Sequence, residues 1–241
     1  MLGQTAHRPW SLPTGPWIMT QSWEKLLFAH FPVEPDWIQS RIPAPLELDT
    51  FKGQAWISIV PFQMNHIRFR FLPSFPGASL FPELNVRTYV TYEGKKGVYF
   101  LHIDADHHFA VWVANKLAYL PYSYAKIDWQ EQNERIHFAC YRHNQLSFEA
   151  SYHPISSAEP AKVGSIDHWL MERYCLYTTH NKNLYRCEIH HQPWFIQQAK
   201  VKIVHNSIFD FHQLTIKKTN PLFHYAHHIK VWAWPLTKCP K

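Results

Sequence analysis

Glu83, Asn85, Arg87 and Tyr89 alternate with Leu84, Val86, Thr88 and Val90. Alternation with period two over this length is the mark of a β-strand with two unlike faces. The polar face sets a guanidinium beside a carboxylic acid, an amide and a phenol. Turned into a cavity, Arg87 can hold a carboxylate bidentately, while Glu83 partners it at rest or exchanges a proton with the bound molecule. Turned to water, the same face is the solvated side of an amphipathic strand, and Arg87 can equally be half of a structural ion pair. His102 and Asp104 form a second candidate. Period two puts them on one face of the next strand with Val98 and Phe100, about 7 Å apart along the backbone. An Asp so placed can orient the His or share a ligand with it, or it can serve only as the cap of the helix that follows.

Other chemistries find less support. The chain has 18 histidines, but His107-His108, His190-His191 and His227-His228 are adjacent pairs, and neighbours on a strand point to opposite faces. Glu188 and His190 share a face and make the best local combination; no metal is expected. There is no G-x-S-x-G, and Cys140, Cys175, Cys187 and Cys239 carry no activating or metal-type spacing. The 7 glycines complete neither a G-x-G-x-x-G nor a G-x-x-x-x-G-K-[ST], so nucleotide cradles are excluded and no cofactor is expected.

The elements that must position these residues come from a chain of 241 residues with 46% hydrophobic and 16% aromatic residues. That composition excludes disorder, and the length suits one all-β unit. Residues 1–16 contain Pro9, Pro13 and Pro16 and read as a leader; residues 17–241 read as a single domain. A short helix fits Glu34 to Ile42, stopped by Pro43. Strands fit Gln54–Met64, Leu84–Tyr92 and Val98–Asp104, the last two joined by a turn at Glu93 to Gly97. Asp104 or Asp106 can cap a helix from His107 to Leu120 that is apolar nearly all round, hence buried, and at about 21 Å too short for a membrane. Tyr122–Trp129, Arg135–Arg142 and Leu146–Tyr152 read as successive antiparallel strands. A helix capped by Ser165 and a hairpin of Tyr174–Thr179 with Leu184–His190 follow. The tail from Pro193 resists assignment.

The net charge is +6, but the Lys and Arg are scattered, with Lys95-Lys96 and Lys217-Lys218 the densest groups. This argues against nucleic acid as a partner. With no signal-peptide pattern and no apolar run of membrane length, the expected setting is the cytoplasm, with reduced cysteines and no membrane partner.

Several strings resemble the YqjF-like bacterial proteins, a conserved domain of unknown function. They are Ile42-Pro43-Ala44-Pro45-Leu46-Glu47-Leu48-Asp49, Phe81-Pro82-Glu83-Leu84-Asn85-Val86-Arg87-Thr88-Tyr89-Val90 and Gly97-Val98-Tyr99-Phe100, with Phe109-Ala110-Val111-Trp112 and Leu120-Pro121-Tyr122. The likeness runs from Trp17 to about Trp234. That family in turn is similar to the acetoacetate decarboxylase superfamily. The resemblance implies a mainly β (α+β) fold, an antiparallel β-barrel-like sheet around a central cavity with a buried helix. In acetoacetate decarboxylase two lysines, one forming the Schiff base, directly follow the proline after the helix; here Pro121 is followed by Tyr122 and Ser123. Imine chemistry needs a lysine activated by desolvation or a second cation, and Lys126 stands alone four residues on. Tyr122 and Tyr124 instead can line the cavity as hydrogen-bond donors.

The expectation is therefore a cavity for a small anionic or carbonyl-bearing molecule such as a keto acid. Arg87 binds the anion, and Glu83 with Tyr122 are the acid/base candidates. Asn85, Tyr89, His102, Asp104, Tyr124 and Lys126 contribute to the ligand site. Schiff-base decarboxylation is not expected, and whether the protein is an enzyme stays open. The alternatives are a lyase, isomerase or hydrolase using Glu83 with a Tyr or His, and a non-enzymatic binder of nucleic acid or another anion. A homo-oligomer is compatible with the sequence.

Overall fold

The computed structural model describes residues 2–72, 80–211 and 220–240; the pair Lys217-Lys218 lies outside them. Branched and aromatic residues carry the long strands. The first is β1 (Met19–Val33). Beyond helix α1 (Pro35–Gln39) and the short β2 (Glu47–Leu48) lie β3 (Ala55–Phe69), β4 (Phe81–Tyr92) and β5 (Lys95–Ala105). Helix α2 (His108–Leu117) and β6 (Tyr122–Tyr124) lead into a meander of β7 (Lys126–Gln132), β8 (Arg135–Arg142) and β9 (Gln145–Pro154). Then come β10 (Glu159–Pro160), α3 (Ile166–Met171), β11 (Cys175–His180) and β12 (Asn183–His190). The chain ends with β13 (Phe195–Asn206), α4 (Ile208–Phe211), β14 (Leu222–Ala233) and β15 (Thr237–Lys238). Glu93-Gly94, Asn133-Glu134, His143-Asn144 and Asn181-Lys182 all have positive φ, the turn backbone that matches the twist of tight hairpins.

The pairing order β12-β11-β5-β4-β3-β1-β14 closes on itself, because β14 also pairs with β12 at Ile189↔Ala233 and His190↔Trp232. The sheet is thus a ring, as the barrel-like expectation required. Its neighbours are antiparallel except β5 and β11, which run parallel at Leu176↔Val98 and Tyr177↔Tyr99. Gly97 makes that crossing: a Cβ there would lie 2.8 Å from the Cys175 carbonyl oxygen, the Cys175 Sγ and the Tyr177 ring. Strands β13, β9, β8 and β7 continue from β14 as a side sheet.

Both faces of the ring are consequently buried. Inside, Phe28, Val60, Phe62, Tyr89, Val98 and Ala105 form one apolar cluster with the α3 residues Leu170 and Met171. Outside, Ala29, Ile57, Leu84 and Val86 pack against Phe138, Cys140, Phe148 and Tyr152 of the side sheet. Alternation along β4 sorts its residues between the two layers as predicted. Along β5 it does not. The register with β4 shifts between Val86↔His102 and Arg87↔Phe100, leaving Leu101 as an extra residue. Such a bulge exchanges the faces of everything beyond it. Val98, Phe100 and Ile103 therefore face inward, and His102 and Asp104 face the side sheet, not the face of Val98 and Phe100.

Helix α2 also departs from the expectation. None of its residues is buried, and Phe109, Trp112 and Leu117 are more than half exposed. Only Ala110 and Val111 pack against the inner cluster, so the helix covers the ring and is not its core. Its cap is neither Asp104 nor Asp106. The ring of His107 accepts the Ala110 N–H at 3.1 Å, while Asp106 accepts from Ile127 N. Ser165 does cap α3, through His168 N at 3.2 Å.

The leader is tied down. Arg8 donates to the Ile189 carbonyl at 2.6 Å, Trp10 donates to Glu188, and Trp234 donates to the Gly15 carbonyl. No helix of the described residues is long and apolar enough to cross a membrane, and all four cysteines are free thiols.

Candidate functional site

Inside the ring lies a cavity of about 120 Å³ whose polar lining comes largely from β4: Glu83, Asn85 and Arg87. The rest is mostly apolar, with Phe28, Phe62 and Trp194 among its walls. Glu83 is 1% exposed. The Tyr122 hydroxyl donates to its Oε2 at 3.0 Å, and Tyr122 is held in place by Asn115 of α2. The Asn115 side chain bonds both the backbone N–H and the carbonyl of Tyr122, at 3.1 and 3.0 Å. Burial raises the Glu83 pKa to about 8, against the opposing pull of hydrogen bonds from Tyr122 and Asn85. Among the described residues no cation lies within ion-pair distance of it. At neutral pH the group is a carboxylic acid, able to donate a proton.

The cavity holds two guanidinium groups in unlike states. Arg173, which follows α3, is neutralised: its Nη1 donates to Asp49 Oδ2 at 2.6 Å, and its Nε donates to the Trp169 carbonyl. It lies 4.8 Å from the centre of the Tyr89 ring and 4.4 Å from that of Trp169. Arg87 is 8% exposed and has no carboxylate within ion-pair distance among the described residues. Its Nε has no hydrogen-bond partner, and neither does Asn85 Oδ1. Burial lowers its pKa, and the Tyr89 hydroxyl, interacting with the guanidinium, opposes that fall. Phe28 lies 5.4 Å from its guanidinium carbon. The site thus presents a desolvated cation, a neutral acid and an orphaned acceptor to one small space.

Of the residues singled out from sequence, Glu83, Asn85, Arg87 and Tyr122 meet at the cavity, and Tyr89 stands behind Arg87. Four do not join them. Asp104 is fully buried on the outer face, 3.2 Å from Arg142 Nε and 3.5 Å from His102 Nε2. Burial raises its pKa to about 6 although Arg142 pulls it down. Tyr124 is 42% exposed and stacks on His108 with ring centres 3.6 Å apart. Lys126 projects into solvent from β7 beside Asp128, because β6 ends at Tyr124 and the chain leaves the ring there. Arg173 and His191, both in the lining, are not among the expected site residues: Arg173 stands at the end of a segment that reads only as a helix, and His191 enters only as one of an adjacent histidine pair. Among the described residues no group of three His, Cys, Asp or Glu side chains is placed to hold a metal.

A family profile described as an uncharacterized conserved protein, DUF2071, matches residues 20–230. The chain belongs to the DUF2071 family. This DUF2071 chain is 47% identical over 230 residues to the uncharacterized protein YqjF of Bacillus subtilis, covering 95% of each. Among solved structures it is similar to the enduracididine biosynthesis enzyme MppR complexed with pyruvate, with a TM-score of 0.67 at 14% identity over 95% of this chain and 93% of that one. It is also similar to acetoacetate decarboxylase from Legionella pneumophila, with a TM-score of 0.65 at 14% identity, covering 98% and 93%. At such identities the likeness establishes the fold alone, an acetoacetate decarboxylase-like one, for this chain. The cavity lining contains no lysine, and the positions after Pro121 are held by Tyr122 and Ser123.

Proposed function

We propose that the cavity binds a small carboxylate bearing a carbonyl or hydroxyl group, a short 2-oxo acid being the type. Arg87 carries this reading: a buried guanidinium at the cavity wall, with an unpartnered Nε and no carboxylate beside it among the described residues, is stabilised by an anion from outside. Protonated Glu83 donates to the ligand's second oxygen, and the apolar wall takes a short carbon tail. The volume equals about four waters of liquid, which suits a molecule of pyruvate size. The structural neighbour MppR was solved with pyruvate, in keeping with such a ligand.

A thermal-shift panel of 2-oxo acids, 3-oxo acids and simple carboxylates tests the reading. Stabilisation by an oxo acid, absent in Arg87→Ala, is the expected result; equal shifts in both proteins would remove Arg87 from the site. A second reading draws on the raised pKa of Glu83 and its bond to Tyr122: general acid/base turnover of the bound acid without an imine. Borohydride added with an oxo acid should leave the mass of the chain unchanged, since no lysine lines the cavity. Above pH 8, where Glu83 is ionised and can accept the proton, loss of the C3 protons of pyruvate to deuterated water, abolished in Glu83→Gln, would report the acid/base step.

A further inference from the structure

The wall of the ring forks one strand away from Arg87. On its edge opposite β4, strand β5 runs parallel to two partners in turn. The first is β11, at Leu176↔Val98 and Tyr177↔Tyr99; the second is β6, at Ile103↔Tyr122, Asp104↔Ser123 and Ala105↔Tyr124. Between Tyr99 and Ile103 the two partners part, at the same place as the bulge at Leu101. A pocket of about 240 Å³ lies in this fork, between the end of β11 and the chain that enters β6. Phe100 and Leu120 belong to the lining of both this pocket and the inner cavity. Phe100 is also the cross-strand partner of Arg87, and such partners point to one face of a sheet. The two spaces therefore share a wall, and Arg87 stands just inside it.

The fork is a built space with aromatic sides. Tyr119 takes a φ of +52°, uncommon for a bulky residue, and two contacts hold it there. The Thr178 hydroxyl donates to its carbonyl, and its ring lies flat on His180 with centres 4.0 Å apart and planes 6° from parallel. Strained backbone kept in place by its surroundings is a feature of ligand-holding segments. Tyr177, opposite Tyr99, is fixed by its hydroxyl, which donates to the Lys95 carbonyl at 2.9 Å. Asn115 lines the fork too, with the same side chain that clamps the backbone of Tyr122. An occupant of the fork thus touches the group that sets the phenol on Glu83.

We propose that the fork is the outer half of the ligand site and takes a planar ring, so that the ligand is an aryl-substituted 2-oxo acid. The proposal rests on the reading of Arg87 as the anion site and adds the chemistry of the ligand's far end. The carboxylate meets Arg87, the carbon chain passes Phe100 and Leu120, and the ring packs beside Tyr119 and His180. From Arg87 to the far edge of β5 is roughly two strand spacings, about 10 Å, a span for a ring carried on a three-carbon acid. An apolar cavity of about 150 Å³ already holds benzene, so the fork has room for the ring. Aromatic walls add offset or edge-on ring contacts to its burial. Pyruvate fills the inner half only.

Binding of pyruvate and phenylpyruvate to the full chain tests the proposal. Phenylpyruvate should bind about tenfold or more tighter, the worth of burying one aromatic ring. In Tyr119→Gly, which keeps the positive φ without strain, the ratio of the two affinities should fall to near one. Equal affinities in the wild type, or a ratio that survives in folded Tyr119→Gly, overturn the proposal. Nuclear magnetic resonance of the wild type reads the two halves separately. Phenylpyruvate should move both the His180 ring signals and the Arg87 Nε–H signal, and pyruvate the Arg87 signal alone. If phenylpyruvate moves His180 but not Arg87, the fork stands and the anion reading of Arg87 fails. If it moves Arg87 but not His180, the fork proposal fails and Arg87 keeps its role; silence at both overturns both.

Discussion

Each side of the β4–β5 hairpin has a buried carboxyl and an arginine, the outer arginine supplied by β8, and the two sides are arranged oppositely. On the outer side Asp104 meets Arg142 at 3.2 Å, with His102 close by. On the inner side Glu83 and Arg87 lie on one strand face but four residues apart, roughly 13 Å along the backbone, and do not pair. The outer pair is complete within the chain. The inner one leaves a neutral acid at one point of the cavity wall and an unneutralised cation at another. Holding complementary groups apart costs stability; under the proposed function, what it gains is a space in which a third molecule would complete both. This difference separates a structural ion pair from a site better than burial does, since all four residues are largely buried.

If the outer pair is structural, removing one partner should hurt most. Arg142→Ala takes the arginine from buried Asp104, leaving His102 at 3.5 Å, and should cost about 3 kcal/mol in urea unfolding at pH 8. The loss should shrink toward pH 5, where Asp104, with a pKa near 6, is neutral. The two cavity arginines should answer differently. Arg173→Met leaves Asp49 with only Lys96, 3.1 Å away, and should cost about 1–3 kcal/mol. Arg87→Met removes an unneutralised cation and should leave ligand-free stability unchanged or higher. A comparable loss in both would break the distinction drawn between them.

Glu83 sharpens it through pH. The fold holds its proton up to about pH 8 against an ordinary value of 4.5. Between these values the native state binds more protons than the unfolded chain, so its contribution to stability is full below 4.5 and declines as pH rises through 8. Glu83→Gln should flatten that decline in thermal melts, being near wild type at pH 5 and more stable than it at pH 9. The smallest effect belongs to Lys126→Ala, within about 0.5 kcal/mol, because the side chain is solvated.

Much of this was legible from one strand. Alternation from Glu83 to Tyr92 gave the correct two faces of β4, and the strand from Arg135 to Arg142 begins and ends where turn chemistry says. The neighbouring strand misled, because a single bulge at Leu101 inverts the parity on which reading His102 and Asp104 depended. Parity survives only as long as pairing is regular, and nothing in the residue types around Leu101 signals the break. Helix α2 misled for another reason: a helix apolar all round can be a lid as readily as a core, and period alone does not say which. Arg173 reads in sequence as the end of a helix, but α3 stops at Met171, and the irregular chain after it carries Arg173 to the cavity.

The ring is a chain of unequal links. Strand β1 is paired with β14 along nearly its whole length, whereas β11 meets β5 through two residues and β12 meets β14 through two. A closed sheet exchanges its contents at the pace of its weakest link. Gly97, by letting two backbones touch where any side chain would wedge them apart, keeps the β5–β11 seam shut. Were a ligand to sit beside Arg87 as proposed, its residence time would depend on that missing methyl group as well as on the strength of the guanidinium's grip.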